Sequence, residues 1–299
     1  MKKSKRILSS ALVLILALTL FAGCGAAGSS GADSSAAKTS SAGNSAAGTA
    51  RSLEDIKSSG KVIIGVFSDK APFGYVDEKG AYQGYDVYFA NRIGKDLGVN
   101  VEFVSVEPAS RVEYLKTGKV DIILANFTVT EERAQSVDFA LPYMKVALGV
   151  VSPDKSLITD VSQLNGKTLI VAKGTTAETY FTKNHPEVKL LKFDQYTETY
   201  NALLDGRGDA FSTDNTEVLA WALQNKGFAV GIESLGDIDT IAPAVQKGNA
   251  GLLNWLNDEI KTLGKENFFH KDFEETLASV YGNAVDSDSL VVESGVVEK

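Results

Sequence analysis

The sequence has very few of the residues that carry redox or metal chemistry: one cysteine and two histidines in 299 residues. A single cysteine excludes an internal disulfide, and two histidines leave little for a zinc site or a histidine-centred catalytic triad. We therefore expect no metal, no cofactor and no hydrolytic centre of these kinds.

Basic residues are also in the minority, because 30 Lys and Arg against 38 Asp and Glu give a net charge of -8. A chain of this charge repels phosphate backbones, which argues against a nucleic-acid partner. The composition is otherwise ordinary for a globular protein, at 44% hydrophobic and 23% charged residues, and leaves room for two core-bearing lobes.

The N-terminus has the pattern of an export signal. Basic residues precede an apolar stretch at 7–21, which is shorter than the ~20 residues of a membrane span. Two small residues then lead directly to Cys24. This arrangement resembles the bacterial lipobox, in which the cysteine after the cleavage site receives lipid. The resemblance implies a signal peptide at 1–23 and lipid attachment at Cys24; the alternative is a plain secretory signal with an incidental cysteine.

The next segment is built almost entirely from small residues. Between residues 25 and 50, 23 of 26 residues are Gly, Ala, Ser or Thr. Such a segment buries too little apolar surface to offset its chain entropy. We expect residues 24–51 to form a flexible linker that tethers a folded body to a membrane surface.

Beyond the linker, short β-branched runs alternate with helical periodicity. The pattern predicts strands at 62–66, 101–106 and 122–124, with helices at 87–97 and 112–115 between them. Strands that alternate with helices favour parallel βαβ units and therefore an α/β fold.

An internal comparison indicates two related lobes. Segment 60–66 resembles segment 166–172, and the spacing Leu-x-x-Gly-x-x-Asp occurs at 115–121 and again at 203–209. Both matches occur in the same order along the chain. The sequence therefore predicts two similar α/β lobes, with the first copy longer than the second.

Two apolar runs, 146–151 and 240–245, join the copies and predict a two-strand hinge. The helices after residue 249 have no second-lobe strand left to cover, so we assign them to lobe one. The expected domains are lobe one at 52–146 and 241–282, lobe two at 147–240, and a C-terminal tail at 283–299.

Polar residues stand where two predicted strands end. Asn126 and Asp214 each follow the repeated aspartate by five residues. Ligands of open α/β sheets bind at the carboxyl ends of strands. A buried Asp214 needs a cationic partner, which could be Arg207, Lys226 or a ligand ammonium.

Anion-binding groups lie nearby in the sequence. Arg133 is placed in the first turn of a short helix, where a cation is unfavourable unless an anion is shared. The alternative is an exposed arginine paired with Glu132 or Asp138. Segment 174–176 opens a helix and offers free N–H groups, although simple capping is an alternative. Arg133 and the helix N-terminus are suited to an anion, and Asp214 is suited to a cation. Together they match the two charged groups of an α-amino acid zwitterion.

Segments 126–133 and 138–143, together with 83–87, resemble the signature of the bacterial extracellular solute-binding proteins of family 3. The resemblance implies a two-lobed type II periplasmic-binding fold that closes around an amino acid for an ABC importer. It implies that the α-carboxylate binds Arg133 and Thr176, with neighbouring groups from Asn126, Thr128 and Thr175, and that the α-ammonium binds Asp214.

Segments 65–77, 142–149 and 268–271 look like those of the cysteine-binding members. By this likeness, side-chain selectivity comes from Phe67, Phe73 and Arg111. Relatives that bind aspartate or glutamate carry a basic residue at the position of Phe67, which argues here for a small, weakly polar ligand side chain. Lys70 is close enough in sequence to keep an acidic ligand open.

These observations lead to one expected function. The chain is expected to be a monomeric, lipid-anchored receptor on the outer face of the cytoplasmic membrane that delivers L-cysteine to an ABC permease. Aspartate, glutamate or cystine are the alternative ligands. A dehydratase-type enzyme on the same fold is the rival class, and we expect no enzymatic activity because Asp214 is committed to an ammonium group.

Overall fold

The protein is described by a computed structural model that covers residues 48–297. The predicted signal peptide at 1–23, the lipid-attachment residue Cys24 and nearly all of the predicted linker lie outside the described residues. No helix within the described part of the chain has the length and apolar character needed to cross a membrane.

The described residues form an α/β fold. The strands are β1 Lys61–Val66, β2 Asp69–Lys70, β3 Gly74–Val76, β4 Tyr82–Gln83, β5 Asn100–Ser105, β6 Ile122–Ile123, β7 Val137–Phe139, β8 Met144–Pro153, β9 Thr168–Ala172, β10 Lys189–Phe193, β11 Ala210–Asp214, β12 Phe228–Ile241 and β13 Ala244–Gln246. The helices are α1 Leu53–Ser59, α2 Tyr85–Leu97, α3 Arg111–Lys116, α4 Glu131–Ala134, α5 Thr176–Asn184, α6 Tyr196–Leu204, α7 Asn215–Gln224, α8 Ala250–Lys265, α9 Phe268–Thr276, α10 Ala278–Tyr281 and α11 Ser287–Leu290.

The strands form two five-stranded sheets of matching order, β5-β1-β6-β13-β7 and β10-β9-β11-β8-β12. In the first sheet β1 pairs in parallel with β5 and β6, and in the second β9 pairs in parallel with β10 and β11. Both sheets therefore contain the βαβ units that the sequence predicts. Strands β2, β3 and β4 form a small third sheet.

The two repeated aspartates, Asp121 and Asp209, make the same kind of hydrogen bond in the two sheets. Asp121 accepts a hydrogen bond from the backbone N–H of Ile63 on β1, at 2.7 Å. Asp209 accepts one from Thr168 on β9, also at 2.7 Å. Each aspartate lies just before its own strand and satisfies a backbone donor on the neighbouring strand of the sheet. The sequence match between segments 115–121 and 203–209 therefore corresponds to a shared local structure.

Two segments carry the chain between the sheets. It leaves the first sheet after β7 and enters the second at β8, and it returns between β12 and β13. Strands β8 and β12 pair antiparallel along most of their length. Helix α8 then contacts β13 of the first sheet. The lobe boundaries at residues 146 and 240 stay predictions.

Helix α2 shows how local sequence positions a buried face. Gly84 precedes it at φ 113, and a Cβ there would lie 2.5 Å from the carbonyl oxygens of Pro72 and Phe73. Only glycine fits this close approach. Phe89 and Ile93 then point into the core at helical spacing. Each such side chain contributes about 1.5–3 kcal/mol when fully buried.

The C-terminal segment packs against the strand that links the two sheets. Val291 forms a bridge with Met144 at the start of β8, and the Val292 N–H donates to the Tyr143 carbonyl. The ring of His270 on α9 is held by this segment, since Nδ1 lies 3.0 Å from Glu293 and Nε2 lies 2.9 Å from Asp288. The acidic tail, to which the sequence assigns no role, is therefore part of the fold.

The two carboxylates around His270 make the stability of this tail pH-dependent. Partial burial alone lowers the pKa of the ring, but Glu293 and Asp288 outweigh it and raise the pKa above the ordinary 6.5. The stabilisation is fully present below the unfolded value and is lost as pH rises through the folded pKa. We expect His270→Gln to reduce the free energy of unfolding by about 1–2 kcal/mol at pH 6, and by less at pH 9.

Denaturant unfolding at both pH values measures this difference. His185→Gln is the matched control, because its ring faces one carboxylate, that of Glu187, at 3.3 Å. Equal destabilisation of the His270 variant at pH 6 and pH 9 would contradict the proposed charge dependence.

Candidate functional site

The two repeat-related polar residues meet between the sheets. Asn126 follows β6 and Asp214 ends β11, and the Asn126 side-chain amide donates to Asp214 Oδ2 at 3.0 Å. Both residues are buried, at 2% and 6% exposure. The structure therefore places the carboxyl ends of these two strands at one site, as the position of ligand sites in open α/β sheets leads one to expect.

The cationic partner of Asp214 is Lys70. Lys70 Nζ donates to Asp214 Oδ2 at 2.8 Å, and its side chain is 1% exposed. The partner is internal, but it is neither Arg207 nor Lys226, the two internal partners that the sequence offered beside a ligand ammonium. The guanidinium of Arg207 stacks instead on Phe193. Lys70 lies 144 residues from Asp214 along the chain, so no local pattern connects them.

Aromatic rings and a second carboxylate surround the Lys70 ammonium. Its Nζ lies 5.6 Å from the centroids of Phe67 and Phe73 and 4.7 Å from that of Tyr196. Glu217 Oε2 is 3.9 Å away. Burial alone lowers the pKa of Lys70, but the charge of Asp214 and its neighbours outweighs burial and raises it. The lysine is therefore a cation at every physiological pH.

Glu217 is the other buried carboxyl group of this cluster. Burial raises its pKa to about 8, against the opposing charge of Lys70. Oε1 accepts a hydrogen bond from the Tyr200 hydroxyl. Glu217 follows Asp214 by three residues at the start of α7, so both carboxyl groups lie on one face of that helix. The helical spacing is the sequence signal that could have identified it.

Arg133 extends from α4 across to the second sheet. Its NH1 donates to the Thr128 carbonyl at 2.7 Å, and its NH2 donates to the Gly174 carbonyl at 2.9 Å. Thr130 caps the helix by accepting from the Arg133 backbone N–H. The alternative of an exposed pair with Glu132 or Asp138 is not what the structure has. Burial lowers the pKa of Arg133.

Arg111 is buried beside Arg133, at 3% exposure. It donates to the carbonyls of Pro108 and Ala125, both at 2.9 Å, and at 3.3 Å to Gly174. Burial, followed by the nearby charge of Arg133, lowers the pKa of Arg111 to about 9. Since these donors bond backbone carbonyls, most of the guanidinium of Arg111 holds the backbone in place and is not directed at an open space.

The predicted threonines divide into two environments. Thr175 caps α5, since its hydroxyl accepts from the Glu178 N–H at 3.2 Å and donates to the Ala172 carbonyl at 2.7 Å. Thr176 begins the helix and lines a cavity of about 640 Å³, together with Arg133 and Gly174. The capping alternative thus applies to Thr175, while Thr176 lines this cavity.

Asp86 holds the Asn126 loop from the side of the first sheet. Its Oδ2 accepts from the Asn126 backbone N–H at 2.8 Å, and its Oδ1 accepts from the Tyr143 hydroxyl. Asn126 is at φ 44, in the left-handed region that asparagine tolerates. Burial raises the pKa of Asp86 to about 6. Asp86 lies in the signature segment 83–87, but no site role was predicted for it, because an aspartate in a first helical turn is ordinary.

Donor groups and carboxyl groups lie in two parts of this region. Arg133 and the α5 N-terminus supply donors beside the cavity, and Asp214 and Glu217 supply carboxyl groups around Lys70. Within residues 48–297, no group of three or more His, Cys, Asp and Glu side chains is arranged to hold a metal ion.

Comparison with known proteins gives a consistent result. Residues 62–274 match the model of the bacterial extracellular solute-binding proteins, family 3. The crystal structure of a solute receptor for L-cysteine from Neisseria gonorrhoeae is 57% identical, with a TM-score of 0.80 over 81% of this chain and 100% of that one. A cysteine-binding protein from Campylobacter jejuni is 56% identical, with a TM-score of 0.80 over 81% and 98% of the two chains.

A more distant relative is the glutamine-binding protein of an ABC transporter from Bacillus subtilis. It is 30% identical over 276 residues, which cover 91% of this chain and 97% of the relative.

The two hydrogen bonds that Asp86 accepts predict that this residue stabilises the Asn126 loop. At pH 7 an Asp86→Asn chain loses the charge and one of the two acceptor oxygens, so we expect the free energy of unfolding to fall by about 1–3 kcal/mol. Denaturant unfolding measures it. Asp258→Asn is the matched control, since Asp258 is on α8 with a side chain 79% exposed. If both variants were equally stable, Asp86 would have no role in holding the loop.

Proposed function

The chain belongs to the bacterial extracellular solute-binding proteins of family 3, and we propose that it is the receptor component of an ABC importer for L-cysteine. The observation that carries the choice of ligand is the 57% identity with an L-cysteine receptor over that protein's whole length. We propose that the amino acid binds between two lobes, at 52–146 with 241–282 and at 147–240, whose closed arrangement the permease recognises.

The α-carboxylate is proposed to bind at Arg133 and Thr176. The Arg133 guanidinium is planar and suits bidentate contact with a carboxylate. Its NH2 now bonds the Gly174 carbonyl, 2.9 Å away, at the point where α5 begins. The neighbouring positions Asn126, Thr128 and Thr175 are proposed to complete this end of the site.

The α-ammonium is proposed to bind Asp214. Within the described residues, both hydrogen bonds to this carboxylate end on Oδ2, one from Lys70 and one from Asn126. Oδ1 is thus the oxygen that we assign to the ligand. The charges of this site already balance one another, since Lys70 is paired with Asp214. A zwitterion has no net charge, so its binding keeps that balance.

The side chain of the ligand is proposed to face Phe67, Phe73 and Arg111. Aspartate or glutamate would need a cation for the distal carboxylate. The ammonium of Lys70 is already paired with Asp214 at 2.8 Å, and Arg111 donates to backbone carbonyls. These contacts favour a small, weakly polar side chain such as that of cysteine over an acidic one.

An enzyme is the less supported class. A dehydratase needs a carboxyl group that can donate a proton to the substrate. Glu217 carries a raised pKa, about 8, but its side chain is fully buried and lies behind Lys70. We propose that the protein binds its ligand without converting it.

The proposed location is the outer face of the cytoplasmic membrane. The N-terminal pattern supports export, with Cys24 as the lipid attachment site and residues 25–50 as a tether. In this arrangement a monomer stays close to its permease while the folded body remains free to open and close.

Calorimetric titration tests the ligand. The chain from residue 24 onward is freed of bound ligand by unfolding and refolding, and is titrated under reducing conditions with cysteine, serine, aspartate and glutamate, and with cystine without reductant. We expect cysteine to bind most tightly. Arg133→Ala and Asp214→Ala should each weaken it about 10- to 100-fold, because each removes a charged hydrogen-bond partner.

Matched controls for these variants are Arg207→Ala, an arginine stacked on Phe193, and Asp194→Ala, an exposed partner of Lys173. Both should bind cysteine as the unaltered chain does. Tightest binding of aspartate or glutamate would keep the receptor but refute the side-chain assignment. A folded, ligand-free chain that binds none of the panel would refute the amino-acid receptor itself.

The anchor is tested separately by Cys24→Ser. Removal of the thiol prevents thioether attachment of lipid, so we expect the exported chain to move from the membrane fraction to the soluble fraction. Metabolic labelling with palmitate, followed by fractionation, measures both effects, with Ser29→Ala as the control. An unlabelled parent chain, or a Cys24→Ser chain that stays with the membrane, would contradict lipid anchoring at this residue.

A further inference from the structure

Lys70 occupies a site that has all the parts of a cation receptor. Three aromatic rings lie around its ammonium, at 5.6, 5.6 and 4.7 Å from Nζ, and they come from Phe67, Phe73 and Tyr196. Asp214 supplies a carboxylate at 2.8 Å, and Glu217 supplies a second carboxyl group at 3.9 Å. We call these five residues the cation box.

Each component of the box attracts a positive charge. The face of an aromatic ring stabilises a nearby cation by its quadrupole, and this effect is stronger where water is excluded. Here the ammonium is fully buried. Two carboxyl groups without a cation would be costly in the same place. The box therefore requires an occupant, and in this chain the occupant is part of the protein.

The position of the box relates it to the ligand. Asp214 is the residue proposed for the α-ammonium, and Phe67 and Phe73 are the residues proposed to face the side chain. The Lys70 ammonium thus lies beside the two rings that we assign to the ligand side chain. A ligand α-ammonium at Oδ1 of Asp214 would share that carboxylate with Lys70. A side-chain cation among the rings would meet the Lys70 charge in a low-dielectric site with the charge of Asp214 already shared, which is strongly unfavourable.

We propose that Lys70 is an internal occupant of a cation subsite and a specificity-determining residue that excludes amino acids with cationic side chains. The inference rests on the proposed function, because it assigns the selectivity of the same site. Removal of the Lys70 side chain should leave the rings and carboxylates in place and open the box to lysine or ornithine.

The first test needs no amino-acid ligand. In Lys70→Ala, n-propylammonium restores the missing atoms, three carbons and the ammonium nitrogen. We expect it to raise the thermal midpoint of this variant, by at least about 2 °C once its concentration is about tenfold its dissociation constant. 1-Propanol, its neutral counterpart, should not do so, and the unaltered chain should respond to neither.

The test also applies if the Lys70→Ala chain is too unstable to fold without a ligand. If Lys70→Ala is unfolded alone, the measured quantity becomes recovery of the folded signal by n-propylammonium but not by 1-propanol. Lys70→Ala combined with Glu217→Gln removes one of the carboxyl groups left unpaired and serves as the second variant. Lack of any selective response to the ammonium in both variants would overturn the proposed box.

The second test uses ligands. Lys70→Ala should bind L-lysine or L-ornithine at least tenfold more tightly than the unaltered chain does, by calorimetric titration. Lys70→Arg keeps a cation in the box and should continue to exclude both ligands. Lys61→Ala is the control for loss of a lysine, since Lys61 is exposed and paired with Glu102.

The outcomes separate this inference from the proposed function. Failure of the unaltered chain to bind cysteine would refute the proposed ligand, while selective stabilisation by n-propylammonium would still support the box. If Lys70→Ala instead bound cysteine more tightly and gained nothing for lysine or ornithine, Lys70 would block the α-ammonium position. That result would overturn the specificity role.

Discussion

The buried ion pair between Lys70 and Asp214 is the constraint around which the site is built. It joins the small β2–β4 sheet to the end of β11 in the second five-stranded sheet, at an Nζ–Oδ2 distance of 2.8 Å. Removal of one partner from such a pair generally costs about 3–5 kcal/mol, because a charge is left buried alone. The surrounding rings, the Asn126 amide and Glu217 each reduce the penalty of burying these charges.

The same constraint explains why the site depends on residues far from the cleft. Asn126, whose backbone takes a left-handed conformation at φ 44, donates its side-chain amide to Asp214. Asp86 accepts the Asn126 N–H, and Tyr143 in turn holds Asp86. A chain of buried hydrogen bonds therefore connects the core of the first sheet to the carboxylate at the end of the second.

The sequence predicted the parts of this site that have local signals. The spacing that ends at Asp121 and Asp209 correctly predicted two related α/β units, because each aspartate bonds its neighbouring strand in the same way. Neither periodicity nor spacing could predict that Lys70 meets Asp214. The two residues are 144 positions apart, and their contact depends on how the folded elements pack. Local patterns encode elements, whereas burial and long-range pairing decide which charges meet.

The donors at the anion end are already engaged, which bears on how a ligand is held. Arg133 and Arg111 both donate to the Gly174 carbonyl, at 2.9 and 3.3 Å, and so connect the α4 and α3 segments to the start of α5. A ligand carboxylate at Arg133 would exchange a neutral carbonyl acceptor for a charged one. Charge-assisted hydrogen bonds are about twice as strong as neutral ones. Affinity then reflects the difference between the bonds that the ligand makes and the bonds that it replaces.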